Sequence, residues 1–248
     1  SHNMKEIISI TIYTGIALVI LTFIANRLYK LKESNNLLCI PSYSFTEGKP
    51  WVFKFDHNEG DLSRDNNTKY VDIALATSAA PTYFPMAEIE NYDNQQFIDG
   101  GVWANDPSLV GLTEALNHFV GKEKKFNQIK ILSISSLSNT SGKQTGQRRD
   151  KSFIHWGSEL FEPSMIGQSK FTNHFLTNIK GIDEINIDYL RIPSAEIASD
   201  QEKAIQLDTA TKESLNLIRS KGKAMGLVFE KKSEVAEFFK NKKQYKTR

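Results

Sequence analysis

Apolar positions fall along the chain in blocks of different period. From Ile7 to Asn26 no charged residue interrupts the sequence, a length close to the ~20 residues that a bilayer core requires of a helix. Lys5 and Glu6 precede this run, and Arg27, Lys30 and Lys32 follow it. Basic residues after a span favour keeping the following domain on the cytoplasmic side. A cleaved signal peptide is disfavoured, because a single lysine leads the run and no A-x-A-like site follows. Ser9, Thr11, Thr14 and Thr22 dilute the run, so a buried helix, or a buried strand followed by a helix, is the competing reading.

Beyond it the blocks shorten. Leu37 to Ile40 reads as a buried strand ending at Pro41, and Trp51 to Phe55 as its hairpin partner after the Glu47-Gly48-Lys49-Pro50 turn signal. Asp56 to Thr68 is polar and reads as a loop. Val71 to Ala80 predicts a helix stopped by Pro81, with side chains small enough for another backbone to come close. Asp106-Pro107 predicts an N-cap followed by proline in the first turn, and Leu109, Leu112, Leu116 and Phe119 give that helix its apolar stripe. Ile129 to Ser135 predicts a central strand of a buried parallel sheet. Ser136 to Lys151 reads as a polar loop, Trp156 to Ile179 as one or two helices broken near Pro163, and Tyr189 to Ile192 as a strand. Lys212 to Lys221 reads as a helix ending at Gly222, and Lys231 to Lys243 as a last helix. Strands alternating with helices predict an α/β layer fold.

Composition changes this picture little. The 248 residues are 40% hydrophobic and 24% charged, ordinary for a globular domain, and the net charge of +2 creates no field that would call for nucleic acid. The basic tail from Lys231 to Arg248 reads as a solvated helix end or as a contact for anionic lipid heads. Cys39 is the one cysteine; it excludes an intramolecular disulfide and reads as a buried structural thiol. His57, His118, His155 and His174 are scattered, their spacing suggests no metal site, and no cofactor is expected. Ser1-His2-Asn3 before Met4 reads as a cloning remnant.

The chemistry centres on Asp99-Gly100-Gly101. By residue type alone this is either a plain turn or an active-site aspartate whose glycines let another backbone approach. Its surroundings decide. Ala74 to Pro85 (ALATSAAPTYFP) followed by Phe97 to Pro107 (FIDGGVWANDP) closely resembles the patatin-like phospholipases. In that family a small-residue helix ends in a Ser-Ala-Ala-Pro-x-x-Phe-type turn, an Asp-Gly-Gly or Asp-Gly-Ala motif follows, and an Asn-x-Pro opens the next helix. LLCIPSYSFTEGKPWVF upstream, and downstream ILSIS, Trp156-Gly157, Gly167-Gln168-Ser169, Tyr189-Leu190-Arg191-Ile192 and Leu207-Asp208, fall in family order, so the resemblance runs from about Asn36 to Lys240.

The resemblance implies a three-layer α/β sandwich with a mostly parallel central sheet, incomplete at its N-terminal side. Residues 1–35 would be the apolar segment, as membrane anchor or core helix, and residues 36–248 the C-terminal part of the patatin-like domain. It implies lipid acyl hydrolysis by a Ser-Asp dyad, with Asp99 as general base and Gly100 and Gly101 in support, without cofactor or metal. The partners implied are a lipid or acyl-ester substrate and a membrane, not nucleic acid. The domain would sit on the cytoplasmic side of that membrane, or in the cytoplasm if the apolar run is core.

The nucleophile does not follow. The family's serine lies in Gly-x-Ser-x-Gly upstream of the aspartate, behind a glycine-rich loop that supplies oxyanion-hole amides. Neither motif occurs here. Gly167-Gln168-Ser169-Lys170-Phe171 lacks the last glycine and comes after Asp99, and Ser220 has glycine on one side only. Three expectations stand: a hydrolase whose nucleophile comes from a complementing N-terminal half, a membrane-associated lipid-binding or scaffold module that has lost turnover, or a structural fragment.

Overall fold

The computed structural model describes residues 29–137, 145–146, 148–152, 156–157, 161–180, 182, 186–198, 200–205 and 209–240. The apolar run from Ile7 to Asn26, half of the loop from Ser136 to Lys151, His155, Leu207-Asp208 and the end of the basic tail lie outside the described residues.

The first layer grows from a hairpin. Strands β1 (Cys39–Ser44) and β2 (Lys49–Lys54) pair antiparallel, Ser44 opposite Lys49 and Cys39 opposite Lys54. Gly48, at φ 66°, takes the left-handed conformation in the connecting turn, which glycine adopts without steric cost. Helix α1 (Tyr70–Ser78) follows, then β3 (Ala87–Ile89) and β4 (Gln95–Asp99). Strand β4 pairs antiparallel with both β3 and β1, so the sheet order is β2-β1-β4-β3.

Beneath this sheet lies an aromatic core. Trp51 meets Phe97 edge-on at 5.4 Å between ring centroids and Tyr92 at 5.3 Å. Phe53, Ile73, Ala76, Ala79, Ala87 and Ile89 complete the cluster, and Leu31 is fully buried within it. Asp65, also buried, is fully answered: it accepts from the Lys54 amide (2.8 Å), the Tyr92 hydroxyl (2.6 Å) and the Arg64 guanidinium. A buried carboxylate without such partners would be costly.

The second layer joins a short helix α2 (Gly101–Ala104), α3 (Ser108–His118), β5 (Ile129–Ile134), α4 (Glu162–Ile179) and β6 (Ile187–Ile192). Strands β5 and β6 are parallel, with α4 in the crossover between them. Leu112, Ile129, Leu176, Ile187 and Tyr189 form their core. Helices α5 (Lys212–Phe229) and α6 (Ser233–Glu237) close the described chain. No described helix is long and apolar enough to cross a membrane.

The α/β class holds, but the sheet is not mostly parallel. Among the described residues the larger sheet is antiparallel, and only β5 and β6 run parallel. Short connections force this within the β1–β2 and β3–β4 pairs, since a hairpin turn can only reverse the chain, whereas parallel pairing needs a crossover of a dozen or more residues. Strand β5 pairs with β6 alone among the described strands, so it is not central here.

Several helix boundaries also move. Helix α5 runs on through Gly222 and Gly226 to Phe229, because a helical glycine costs only about 1 kcal/mol and its neighbours are good helix formers. Pro163 lies in the first turn of α4 instead of breaking it, where its missing N–H is no loss. The last helix, expected over Lys231 to Lys243, covers only Ser233–Glu237 among the described residues.

Candidate active site

Asp99 is the last residue of β4 and stands opposite Ser42 of β1. Its amide donates to the Ala79 carbonyl at 3.0 Å, fastening the strand end to the residue that follows α1. The small side chains of α1 permit this approach. Thr77 Oγ1 donates to the Pro41 carbonyl (2.6 Å), and Ser42 Oγ donates to the carbonyls of Ala76 (3.1 Å) and Ile98 (2.9 Å).

The glycine after the aspartate is dictated by space. A Cβ at Gly100 would stand 2.3 Å from the Pro41 carbonyl oxygen, inside any tolerable contact. Gly101 begins α2, and its amide donates to Asp99 Oδ1 at 2.7 Å. Among the described residues this is the one hydrogen bond recorded for the Asp99 carboxylate, and no cation pairs with it. Burial pushes its pKa up to about 6, and the Gly101 amide pulls the other way.

Beside Asp99 the chain turns sharply. Phe84 donates its amide to the Ala80 carbonyl (3.0 Å), and its half-exposed ring belongs to a turn in which Thr82 takes φ 73°. A β-branched residue at positive φ is strained, a cost typical of functional turns. Of the serines near these motifs, Ser78 donates to the Ala74 carbonyl (2.7 Å) and Ser169 accepts from Arg191 (3.0 Å). Neither is bonded to Asp99.

Sequence reasoning missed the hub at Asp106. The expected N-cap moves by one residue: Pro107 is the N-cap of α3, and the Asp106 carboxylate, just before it, accepts from the Ser108 amide at 3.0 Å. Three quoted motifs converge on it. Gln168 accepts from the Asp106 amide (2.8 Å) and donates to its carbonyl (3.2 Å). Arg191 forms a partly buried ion pair with the Asp106 carboxylate and donates to Ser133 Oγ (2.7 Å). Asp106, Ser133 and Arg191 wall a cleft of 930 Å3 between α3, β5 and α4. Asn105 and Asp106 line that cleft; Asp99 does not.

A second grouping was also illegible in the sequence. His57, Glu114 and His118 bring one donor atom each within 4.8 Å of one another, so these histidines are not scattered as their spacing suggested. His174 is exposed and contacts Asn178 of its own helix. Cys39 fits its structural reading: burial, and then the nearby Glu114 charge, push its thiol up to about 12.

No family model matches the chain. Among curated proteins it is 33% identical over 238 residues to a cGAMP-activated phospholipase of Vibrio cholerae serotype O1, covering 88% of this chain and 63% of that protein. It is 30% identical over 211 residues to a cGAMP-activated phospholipase of Escherichia coli, covering 81% of this chain and 58% of that protein. With patatin-like protein 4 of Arabidopsis thaliana it shares 31% identity over 138 residues, 52% of this chain and 34% of that protein. The chain thus spans 63% or less of the length of each of these relatives.

Proposed function

The chain belongs to the patatin-like phospholipase family, and from that premise we propose that it is the aspartate-bearing part of a lipid acyl hydrolase. Asp99 is the general base of a Ser-Asp dyad, and the serine comes from a complementing nucleophile half. On this reading the two sheets belong to a three-layer sandwich that such a half completes.

The observation that supports the assignment is the state of the Asp99 carboxyl. It is desolvated, free of any described cation, and raised to about 6. An ordinary carboxylate, near ~4, is a feeble base at neutral pH, and general-base efficiency improves as the pKa approaches the working pH. Ionised Asp99 accepts the proton of the serine hydroxyl as its oxygen attacks the ester carbonyl. That proton then goes to the departing alcohol as the acyl-enzyme forms, and water attacks next with Asp99 again as base. Phe84 and Met86, exposed just before β3, offer apolar surface for an acyl chain. The reading includes attachment to a membrane through the Ile7 to Asn26 run. The names of the bacterial relatives add a cyclic dinucleotide as the class of activator.

Because neither Gly-x-Ser-x-Gly nor an oxyanion loop occurs in this sequence, the chain alone is inactive. The test assays it on short acyl esters and phospholipid vesicles, with and without cGAMP. It then assays a fusion of residues 36–248 to the Gly-x-Ser-x-Gly-bearing half of a patatin-like relative. The expected result is background turnover by the chain and hydrolysis by the fusion that Asp99→Asn abolishes. Turnover by the chain itself would overturn its inactivity, and turnover of the fusion surviving Asp99→Asn would remove Asp99 from the site.

A further inference from the structure

Glu114 and His118 lie one turn apart on α3, which sets their side chains on one face. The loop after β2 brings His57 against them. His57 Nε2 and His118 Nε2 each stand 3.5 Å from the same oxygen, Glu114 Oε1. That is longer than the ~2.7–2.9 Å of a charge-assisted hydrogen bond. It matches the edge of a tetrahedron around zinc, where bonds of ~2.0–2.1 Å put neighbouring donors about 3.4 Å apart.

The surrounding groups prepare the donors. His118 Nδ1 is 3.1 Å from the Glu59 carbonyl oxygen. A carbonyl only accepts, so Nδ1 carries the proton, and in the neutral ring Nε2 turns a lone pair toward Glu114. His57 Nδ1 is buried 3.5 Å from the Glu59 carboxylate and has no hydrogen-bond partner among the described residues. Metal-bound histidines are commonly oriented by a carbonyl or carboxylate behind the ring, as the Glu59 carbonyl orients His118 here. Lys54 Nζ occupies the other oxygen of Glu114, Oε2, at 2.6 Å and leaves Oε1 free. Phe119 packs on His57 with 4.6 Å between ring centroids. A side chain at Gly60 would meet both imidazoles at 3.0–3.1 Å, so glycine there lets the rings close.

We propose that His57, Glu114 and His118 form a zinc site, with Nε2, Oε1 and Nε2 as ligands and water in the fourth position. The ion ties the loop after β2 to the C-terminal end of α3. The site is distinct from Asp99 and does not depend on the acyl-hydrolase reading. Cys39 marks the β1 end beside it, three residues along the strand from Ser42, which pairs with Asp99.

The test strips the full chain with chelator and titrates it with zinc against a chromophoric chelator, then repeats the titration with cobalt(II). One zinc per chain is expected, with a raised Tm and the intense visible band of four-coordinate cobalt. His57→Gln and His118→Gln should each weaken zinc binding at least about 100-fold, as loss of a ligand should exceed loss of an outer-shell partner. His174→Gln should leave it unchanged. No stoichiometric zinc, or equal affinity in wild type, His57→Gln and His118→Gln, would overturn the proposal. Should the glutamine variants fail to fold, the cobalt spectrum of the wild type decides, because the weak band of six-coordinate cobalt would equally overturn it.

Discussion

The backbone of Gly100 lies so close to Pro41 that a Cβ would come within 2.3 Å of the Pro41 carbonyl oxygen. This contact holds the end of β4 against β1 and so aims the Asp99 side chain. Gly100→Ala should therefore lower stability by about 2–4 kcal/mol, since neither backbone can yield without breaking strand pairing. Gly222→Ala serves as the counterpart, because the space at that helical position is open; it should stabilise by about 1 kcal/mol. Urea midpoints of the two variants check both signs.

The pH dependence of stability carries the imprint of Asp99. Its folded pKa, about 6, lies above the ordinary 3.8. Between these values the folded chain holds a proton that the unfolded chain has released, so this group's contribution to stability falls as pH rises through the interval. Asp99→Asn removes that loss, and Asn can still accept from the Gly101 amide. Relative to wild type the variant should gain stability from pH 4 to 6 and hold the gain above it, by roughly 2–3 kcal/mol at most. A wild-type-minus-variant difference that stays flat across pH 4–7 would mean the carboxyl is not desolvated.

The Asp106–Arg191 pair should behave as one unit. Asp106→Ala leaves a partly buried guanidinium without its anion and should cost about 3–5 kcal/mol. Adding Arg191→Met should cost much less than the sum of the single changes, because the remaining charge is then gone. A double-mutant cycle by chemical denaturation measures the coupling, and simple additivity would show that the pair is not coupled.

For the apolar run, removal of residues through Asn26 should leave a folded protein that moves from the membrane fraction to the supernatant. Cell fractionation and circular dichroism read the two parts of this outcome. Aggregation of the shortened chain would instead make the run part of the core, whose loss would exceed the ~5–15 kcal/mol that stabilises a domain.

What the sequence determined by itself is local or carried by motif. The hairpin of β1 and β2 follows from two apolar runs around a glycine turn, although β1 runs on through Pro41, where its end was expected, and the bond from the Ser108 amide to Asp106 follows from an acidic residue before Pro107. Backbone geometry over a few residues decides such features, so residue types suffice. The family was legible for another reason: the Ala74 to Pro85 and Phe97 to Pro107 segments keep the order and spacing of its motifs. Only the tertiary structure decided which distant residues meet. His57 and Glu114 are 57 positions apart, and Asp106 and Arg191 are 85 apart. Their approach depends on how β2, α3 and β6 pack, which no periodicity along the chain encodes. The same holds for α5, where Gly222 looked like a stop. Glycine ends a helix only when its cost of about 1 kcal/mol outweighs what continuing the helix gains from the residues beyond, and that balance includes the burial of Phe229 at the far end. The raised pKa of Asp99 belongs with these, because desolvation is a property of the walls around a carboxyl, and those walls come from β1, α1 and α2 only once the chain has folded.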